Sequence, residues 1–240
     1  MILTSEKSVS TSKLSPLFCL TIPRSGYHLL IKRMDFYFGD ELQHVELTRY
    51  LPLGFPTSKL ANHGISLNHD SGINRAWPWS QLYSFPKRDA SKYMILFRNP
   101  LLSMISDFQL HERNGLKRGG SVGEWKHYAI KGIRYRKRFI RKWLVGYNGD
   151  NVLTLSYEQC AKDPKDCLRR AIKHAQRVEE RLNEDRLQAC LDRFPFDGHR
   201  EYEDHKFYDK AFFEELRSRL EETAAYLEEH EEYGIDLSLP

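Results

Sequence analysis

The sequence predicts a three-layer α/β/α domain built on a central, mostly parallel sheet. Three observations carry that prediction. Short β-rich apolar runs alternate with longer segments of helical period, the pattern left by parallel strands joined through crossover helices. Two stretches, "LFCLTIPRSGYHLL" (Leu17–Leu30) and "YMILFRNPLLSMISDF" (Tyr93–Phe108), pass from strand to turn to helix with no long loop between. The chain of 240 residues, 40% apolar and 29% charged, has globular composition and enough length to bury a sizeable core.

In chain order, residues 1–15 read as a flexible, Ser-rich lead-in, and 16–240 as one domain. The lead-in lacks the apolar core of a signal peptide. No run approaches the ~18 apolar residues of a membrane span, so a cytoplasmic protein is expected. Strands are expected at 17–22, around 44–48, and at 63–68, 92–98 and 151–156. Helices are expected at 26–37, 100–112, 124–145, 164–176, 183–193 and 207–231. The first strand (Leu17, Phe18, Leu20, Ile22) stops at Pro23, and apolar periodicity resumes at Leu29, Leu30 and Ile31. After the strand 93–97, Asn99 is a good N-cap and Pro100 a good first helical residue. Helix 124–145 carries an apolar stripe (Trp125, Ala129, Ile133, Ile140, Trp143) among Lys126, Lys131, Arg134, Lys137, Arg138 and Arg141. That pattern fits a solvated amphipathic helix or a face for an acidic partner. Helix 207–231 has the opposite sign, with Glu214, Glu215, Glu221, Glu222, Glu228 and Glu229 outside a Phe213, Leu216, Leu220, Leu227 stripe. It reads as a structural cover. The loop-rich segment 51–85 gathers Phe55, Trp77, Trp79, Tyr83 and Phe85, either as a pocket lining or as a satellite core.

A net charge of +4 suits a small anionic ligand and falls short of a nucleic-acid footprint. The cysteines Cys19, Cys160, Cys167 and Cys190 form no CxxC pair and no zinc spacing, so at least two buried thiols in a reducing cytoplasm are expected and a metal site is not. The turn Arg24-Ser25-Gly26 opens a helix and can present backbone N–H groups to an anion. Arg98 falls at the carboxyl end of a strand, where open α/β sheets bind ligands. Ser103 and Ser106 share a helical face beside it, which makes a credible phosphate clamp. Two such sites imply a ligand with two separated anionic groups. Neither GxxxxGK[ST] nor GxGxxG is present, so an ordinary NTPase or dinucleotide reading loses its support.

"TIPRSGYHLL" resembles the 5′-phosphosulfate loop of the sulfotransferases, T-x-P-[KR]-S-G-T-x-x-[WL]. "RNPLLSMIS" resembles their 3′-phosphate motif, an R-[ND]-P with a serine eight residues after the arginine, the interval from Arg98 to Ser106. "NVLTLSYEQCAKDPKDCLRRAIKHA" is similar to a third segment of the family, including Tyr157, Glu158 and Pro164. The three stand in family order over roughly 17–176. The resemblance implies a P-loop-NTPase-like sulfotransferase fold and the donor 3′-phosphoadenosine 5′-phosphosulfate (PAPS), with 3′-phosphoadenosine 5′-phosphate (PAP) as product and no metal. It implies that Arg24 contacts the bridging oxygen and the sulfonate, and that Ser25, Gly26, Tyr27 and His28 cradle the 5′-phosphate. Arg98 and Ser106 would hold the 3′-phosphate. Tyr157 would approach the adenine or position the loops around it, unless it is a core tyrosine.

Sulfonate transfer needs a base for the acceptor's proton and a cation for the leaving oxygen. Many members carry a K-x-H segment after a strand between the phosphate motifs. "GISLNHDSG" offers His69 as that base, with Asp70 as its alternative and Leu67 in place of the lysine. Other departures are Tyr27 and His28 in place of hydroxyl residues, and Leu29 where many members have tryptophan. "FDGHREYEDHK" stands in place of a C-terminal glycine-rich motif, with Arg200 or Lys206 as substitutes toward the 3′-phosphate. The expected partner is a small-molecule acceptor with a hydroxyl or amine and an aromatic or apolar part, not nucleic acid. A monomer and a homodimer both fit. The alternatives are a non-catalytic nucleotide-binding protein of this fold and a nucleotide kinase-like phosphotransferase.

Overall fold

A computed structural model describes residues 14, 17–42, 44–46, 65–68, 92–114, 120–147, 149–176, 181–196, 201–203 and 205–240. Among them five strands form a single sheet: Leu17–Thr21 (β1), His44–Glu46 (β2), Ile65–Asn68 (β3), Lys92–Phe97 (β4) and Val152–Ser156 (β5). Their order is β2-β3-β1-β4-β5, and every pair is parallel. From β1 the chain runs out to the far edge, returns through β3, and then crosses to β4 on the other side of β1. The direction of winding therefore reverses between β1 and β4, and a crevice opens at their carboxyl ends.

Period-two alternation divides the core between the two faces. Phe18 and Leu20 of β1 join Tyr93, Ile95 and Phe97 of β4 on one face. Leu17 and Cys19 join Met94 and Leu96 on the other. The first face is covered by Pro100–Arg113 (α2) and Val122–Ile140 (α3), with Trp125, Trp143 and Phe213 fully buried. The second is covered by Tyr27–Phe38 (α1), Pro164–Ala175 (α5) and Glu184–Arg193 (α6). The short helix Tyr157–Lys162 (α4) directly follows β5. No helix among the described residues is long and apolar enough to cross a membrane.

Asn99 caps α2 as its sequence position predicts, accepting from the Leu101 and Leu102 amides at 2.9 and 3.2 Å. Three features differ from expectation. The helix expected over 207–231 is two helices, Lys210–Ser218 (α7) and Glu222–Glu229 (α8), parted where Glu221 takes φ +50°. Helix α4 was not foreseen; Ser156 starts it by accepting from the Gln159 amide at 3.0 Å. Cys160 and Cys167 are joined in a disulfide between α4 and α5, while Cys19 and Cys190 are buried thiols. Burial pushes the Cys19 thiol well above its ordinary range.

The basic helix meets the acidic C-terminal segment. Lys137 pairs with Glu221 at 2.6 Å, Arg141 with Glu222 and Lys126 with Asp209. These contacts account for part of the α3 charge by intramolecular pairing. Leu14 is buried and bridges Gln176; residues 1–13, 15 and 16 lie outside the described residues. Phe55, Trp77, Trp79, Tyr83 and Phe85 also lie outside them.

Candidate active site

The two strand–turn–helix stretches meet at the switch point. Strand β1 ends at Thr21, and after Pro23 the chain turns sharply, with Arg24 at φ +68° and Gly26 at φ +79°. Gly26 occupies the N-cap of α1, and the first helical bonds run from the Leu29 and Leu30 amides to its carbonyl. Asn99, Ser121, Ser156, Asp163, Asn183 and Asp209 each cap a helix with a side chain. Helix α1 has no side-chain cap and no acidic residue in its first turn. Its positive dipole end is left to face the crevice.

The β4 side closes on this turn. Arg24 Nε donates to Ser106 Oγ at 3.2 Å, and Arg98 Nη1 approaches the Arg24 carbonyl at 3.5 Å. Arg98 itself is buried, 6% exposed. Its guanidinium lies 4.2 Å from the Tyr157 ring centroid and 3.9 Å from the Glu158 carboxylate. Burial pushes the Glu158 carboxyl up to about 7, against the lowering effects of the Asn99 amide and of Arg98. Tyr157 also sets the spacing of the turn. A Cβ at position 26 would stand 2.9 Å from its Cδ2, so only glycine fits both the φ and the ring.

Together these residues line a cleft of about 780 Å³. Arg24, Ser25, Gly26, Tyr27, His28, Arg98, Ser106 and Tyr157 all contribute to its walls. The Tyr27 ring also packs on the second core cluster and lies 4.4 Å from the His28 ring. Leu29 lines the cleft where many members have tryptophan. His69, Asp70 and Arg200 lie outside the described residues; β3 ends at Asn68, paired with Leu20 of β1. Lys206 is not a cleft residue: it pairs with Glu112 at 2.8 Å and lies over the Phe207 ring. Ser103 differs from expectation too. It is fully buried and donates to the Pro23 carbonyl at 2.8 Å, so its hydroxyl anchors the turn and is turned away from any ligand.

One wall was not expected from the sequence: it is formed by Arg193, at the end of α6, with Phe194, Pro195 and Phe196 after it. Buried Arg33 of α1 fixes it by donating twice to the Phe194 carbonyl, at 3.0 and 2.7 Å. The Phe196 ring sits 5.1 Å from that of Tyr157. The signal was present as an aromatic pair around a proline at a helix end, but nothing local ties it to Arg33, 161 positions earlier. Helix α2 contributes Asp107, Leu110 and His111 to the same cleft.

A sequence model described as the sulfotransferase domain matches residues 17–219. The chain belongs to the sulfotransferase family. Among solved structures, the mouse sulfotransferase SULT7A1 complexed with PAP superposes with a TM-score of 0.61 at 15% identity, covering 89% of this chain and 87% of that one. The sulfotransferase domain from the curacin biosynthetic pathway superposes with a TM-score of 0.52 at 14% identity, covering 88% and 96%. At these identities the likeness is one of fold. No curated protein matches by sequence. The sulfotransferase fold accounts for the five parallel strands flanked by helices, and the two stretches that resemble the family's phosphate motifs meet at β1 and β4.

Proposed function

We propose that this chain is a PAPS-dependent sulfotransferase, a single domain over 16–240 that moves a sulfonate to a hydroxyl or amine of a small-molecule acceptor. One observation carries the reading. Two cationic turns, 74 positions apart in sequence, converge across one cleft at the end of a helix without a side-chain cap. A nucleotide with two separated phosphates fits the donor set. Among the described residues, Arg24, Lys32, Arg98 and Arg193 line the cleft against one carboxylate, Asp107, and that carboxylate already accepts from Tyr128 and faces Arg136.

In this proposal the amides from Ser25 to His28 receive the 5′-phosphate, and Arg98 with Ser106 receives the 3′-phosphate. Tyr157, Phe194 and Phe196 form the aromatic wall suited to a purine. Bound PAPS supplies an activated sulfonate on a phosphate leaving group. Arg24 stabilises the charge that develops on the leaving oxygen as the sulfur–oxygen bond breaks and the acceptor's bond to sulfur forms. His69 takes the acceptor's proton, with Asp70 as its alternative. The acceptor carries an aromatic or apolar part, and the enzyme works in the cytoplasm.

Calorimetric titration with PAP tests the donor reading: the unaltered protein binds and Arg98→Ala loses most of the affinity. No binding by the unaltered protein refutes it. Tyr27 and His28 in place of hydroxyl residues favour a second reading, a nucleotide-binding protein without turnover. Sulfonate transfer from radiolabelled PAPS to a panel of phenols and amines would dismiss that one.

A further inference from the structure

One buried arginine has no part in the function proposed above. Arg136 of α3 is 1% exposed. Its Nε donates to Ser103 Oγ at 2.9 Å and its Nη1 to the Gly132 carbonyl at 3.2 Å, while Nη2 lies 3.6 Å from Asp107 Oδ2. Asp107 in turn accepts from the Tyr128 hydroxyl. Space is kept for this guanidinium: a Cβ at Gly132 would stand 3.1 Å from Nη1 and 3.2 Å from Met104 Sδ. A mid-helix glycine costs about 1 kcal/mol relative to alanine, and burying an ion costs several more even when it is paired. Packing alone would be served better by an apolar side chain.

The Ser103 hydroxyl explains what the arginine does. A serine inside a helix can turn its proton back to the carbonyl four residues earlier, here Asn99. The Arg136 Nε–H occupies an oxygen lone pair and leaves the Ser103 proton directed at the Pro23 carbonyl, 2.8 Å away. That carbonyl immediately precedes Arg24, a non-glycine residue held at φ +68° with its Nε on Ser106. We propose that Arg136 is a positioning residue for the Arg24 turn, acting through Ser103 from outside the cleft. The chain Asp107–Arg136–Ser103–Pro23 holds Arg24 in its left-handed conformation and keeps the following amides aimed into the cleft. This rests on the anion-binding role proposed for the turn.

The test uses Ser103→Ala, Arg136→Met and the double variant, each without ligand. Hydrogen exchange of the Leu29 and Leu30 amides, which donate to the Gly26 carbonyl of the turn, should quicken about tenfold in either single variant, the equivalent of one net hydrogen bond. Amides in β4 and β5, which report global unfolding, should stay protected. The double variant should exchange no faster than the worse single one, because a broken chain cannot be broken twice. PAP affinity should fall in parallel. Unchanged exchange at Leu29 and Leu30 in Ser103→Ala, or additive losses in the double variant, overturns the proposal. Should Arg136→Met fail to fold, Ser103→Ala decides alone. The failure of PAP to bind the unaltered protein would refute the donor reading, and the exchange experiment would still decide the role of Arg136.

Discussion

Glu158→Gln should change how stability depends on pH. Glu158 lies against Arg98 at 3.9 Å, and its Oε1 accepts from the Asn99 amide at 3.0 Å. Its Oε2 is buried with no hydrogen-bond partner among the described residues. Burial raises the carboxyl from its usual 4.5 to about 7. Between those values the folded chain keeps a proton that the unfolded chain has released. Unfolding then releases that proton, so stability falls as pH rises through this window and levels off above it. At about 1.4 kcal/mol per pH unit, the window corresponds to roughly 3 kcal/mol. Glutamine keeps the acceptor toward Asn99 and never ionises. The variant should match the parent near pH 4.5 and exceed it by roughly 3 kcal/mol at pH 8. Urea unfolding at pH 5, 6, 7 and 8, followed by the fluorescence of buried Trp125 and Trp143, reads both curves. An identical pH slope in the two proteins would refute the assignment of a neutral Glu158.

Three further changes test the frame of the site. Gly26→Ala forces a Cβ to 2.9 Å from Tyr157 at φ +79°; it should cost about 1–2 kcal/mol in urea unfolding and weaken PAP binding by more than about tenfold. An affinity equal to the parent's would contradict the contact. Asn99→Ala removes two accepted amides and two donated bonds, to Tyr202 and the Asp236 carbonyl. A loss of about 2 kcal/mol is expected, and a loss below about 0.5 kcal/mol would show that the cap is dispensable. Reducing Cys160–Cys167, which closes a span of seven residues, should cost roughly 2 kcal/mol. A melting temperature indifferent to reductant and to Cys160→Ser would mean that the bridge does not form in solution.

What could be read from the sequence is what local chemistry dictates. Pro23 ends a strand, Asn99 and Pro100 begin a helix, and alternating apolar residues mark β1 and β4; each signal lies within a few residues of its effect. The contacts that were missed depend on residues distant in sequence. Helix α4 is six residues long, too short for periodicity to register. The Phe194–Phe196 wall depends on Arg33, 161 positions away from the carbonyl it holds. Ser103 looked like a phosphate ligand because helical spacing places it beside Ser106. Only the position of Arg136 on a different helix shows that its hydroxyl is already committed. The charge on helix 124–145 was legible, but its pairing partners were not, since Glu221 and Glu222 approach it only after the chain has broken between α7 and α8.

The sheet order is what turns two weak motifs into one site. A small-residue turn before a helix, or an arginine before an Asn-Pro cap, occurs often without any ligand. Here β1 and β4 are hydrogen-bonded neighbours in register, Thr21 beside Leu96. The residues leaving each strand are therefore held one strand spacing apart, about 5 Å. At that separation Arg98 reaches the Arg24 carbonyl and Ser106 reaches the Arg24 guanidinium. Had β3 stood between β1 and β4, the two turns would lie about 10 Å apart and neither contact could form. The crossover that sends β2 and β3 to one side of β1 and β4 to the other is thus a requirement of the proposed anion site. The cations of the cleft depend on strand pairing for their proximity, and a substitution that shifted the register of β1 against β4 should damage the proposed nucleotide binding without touching any residue assigned to the ligand.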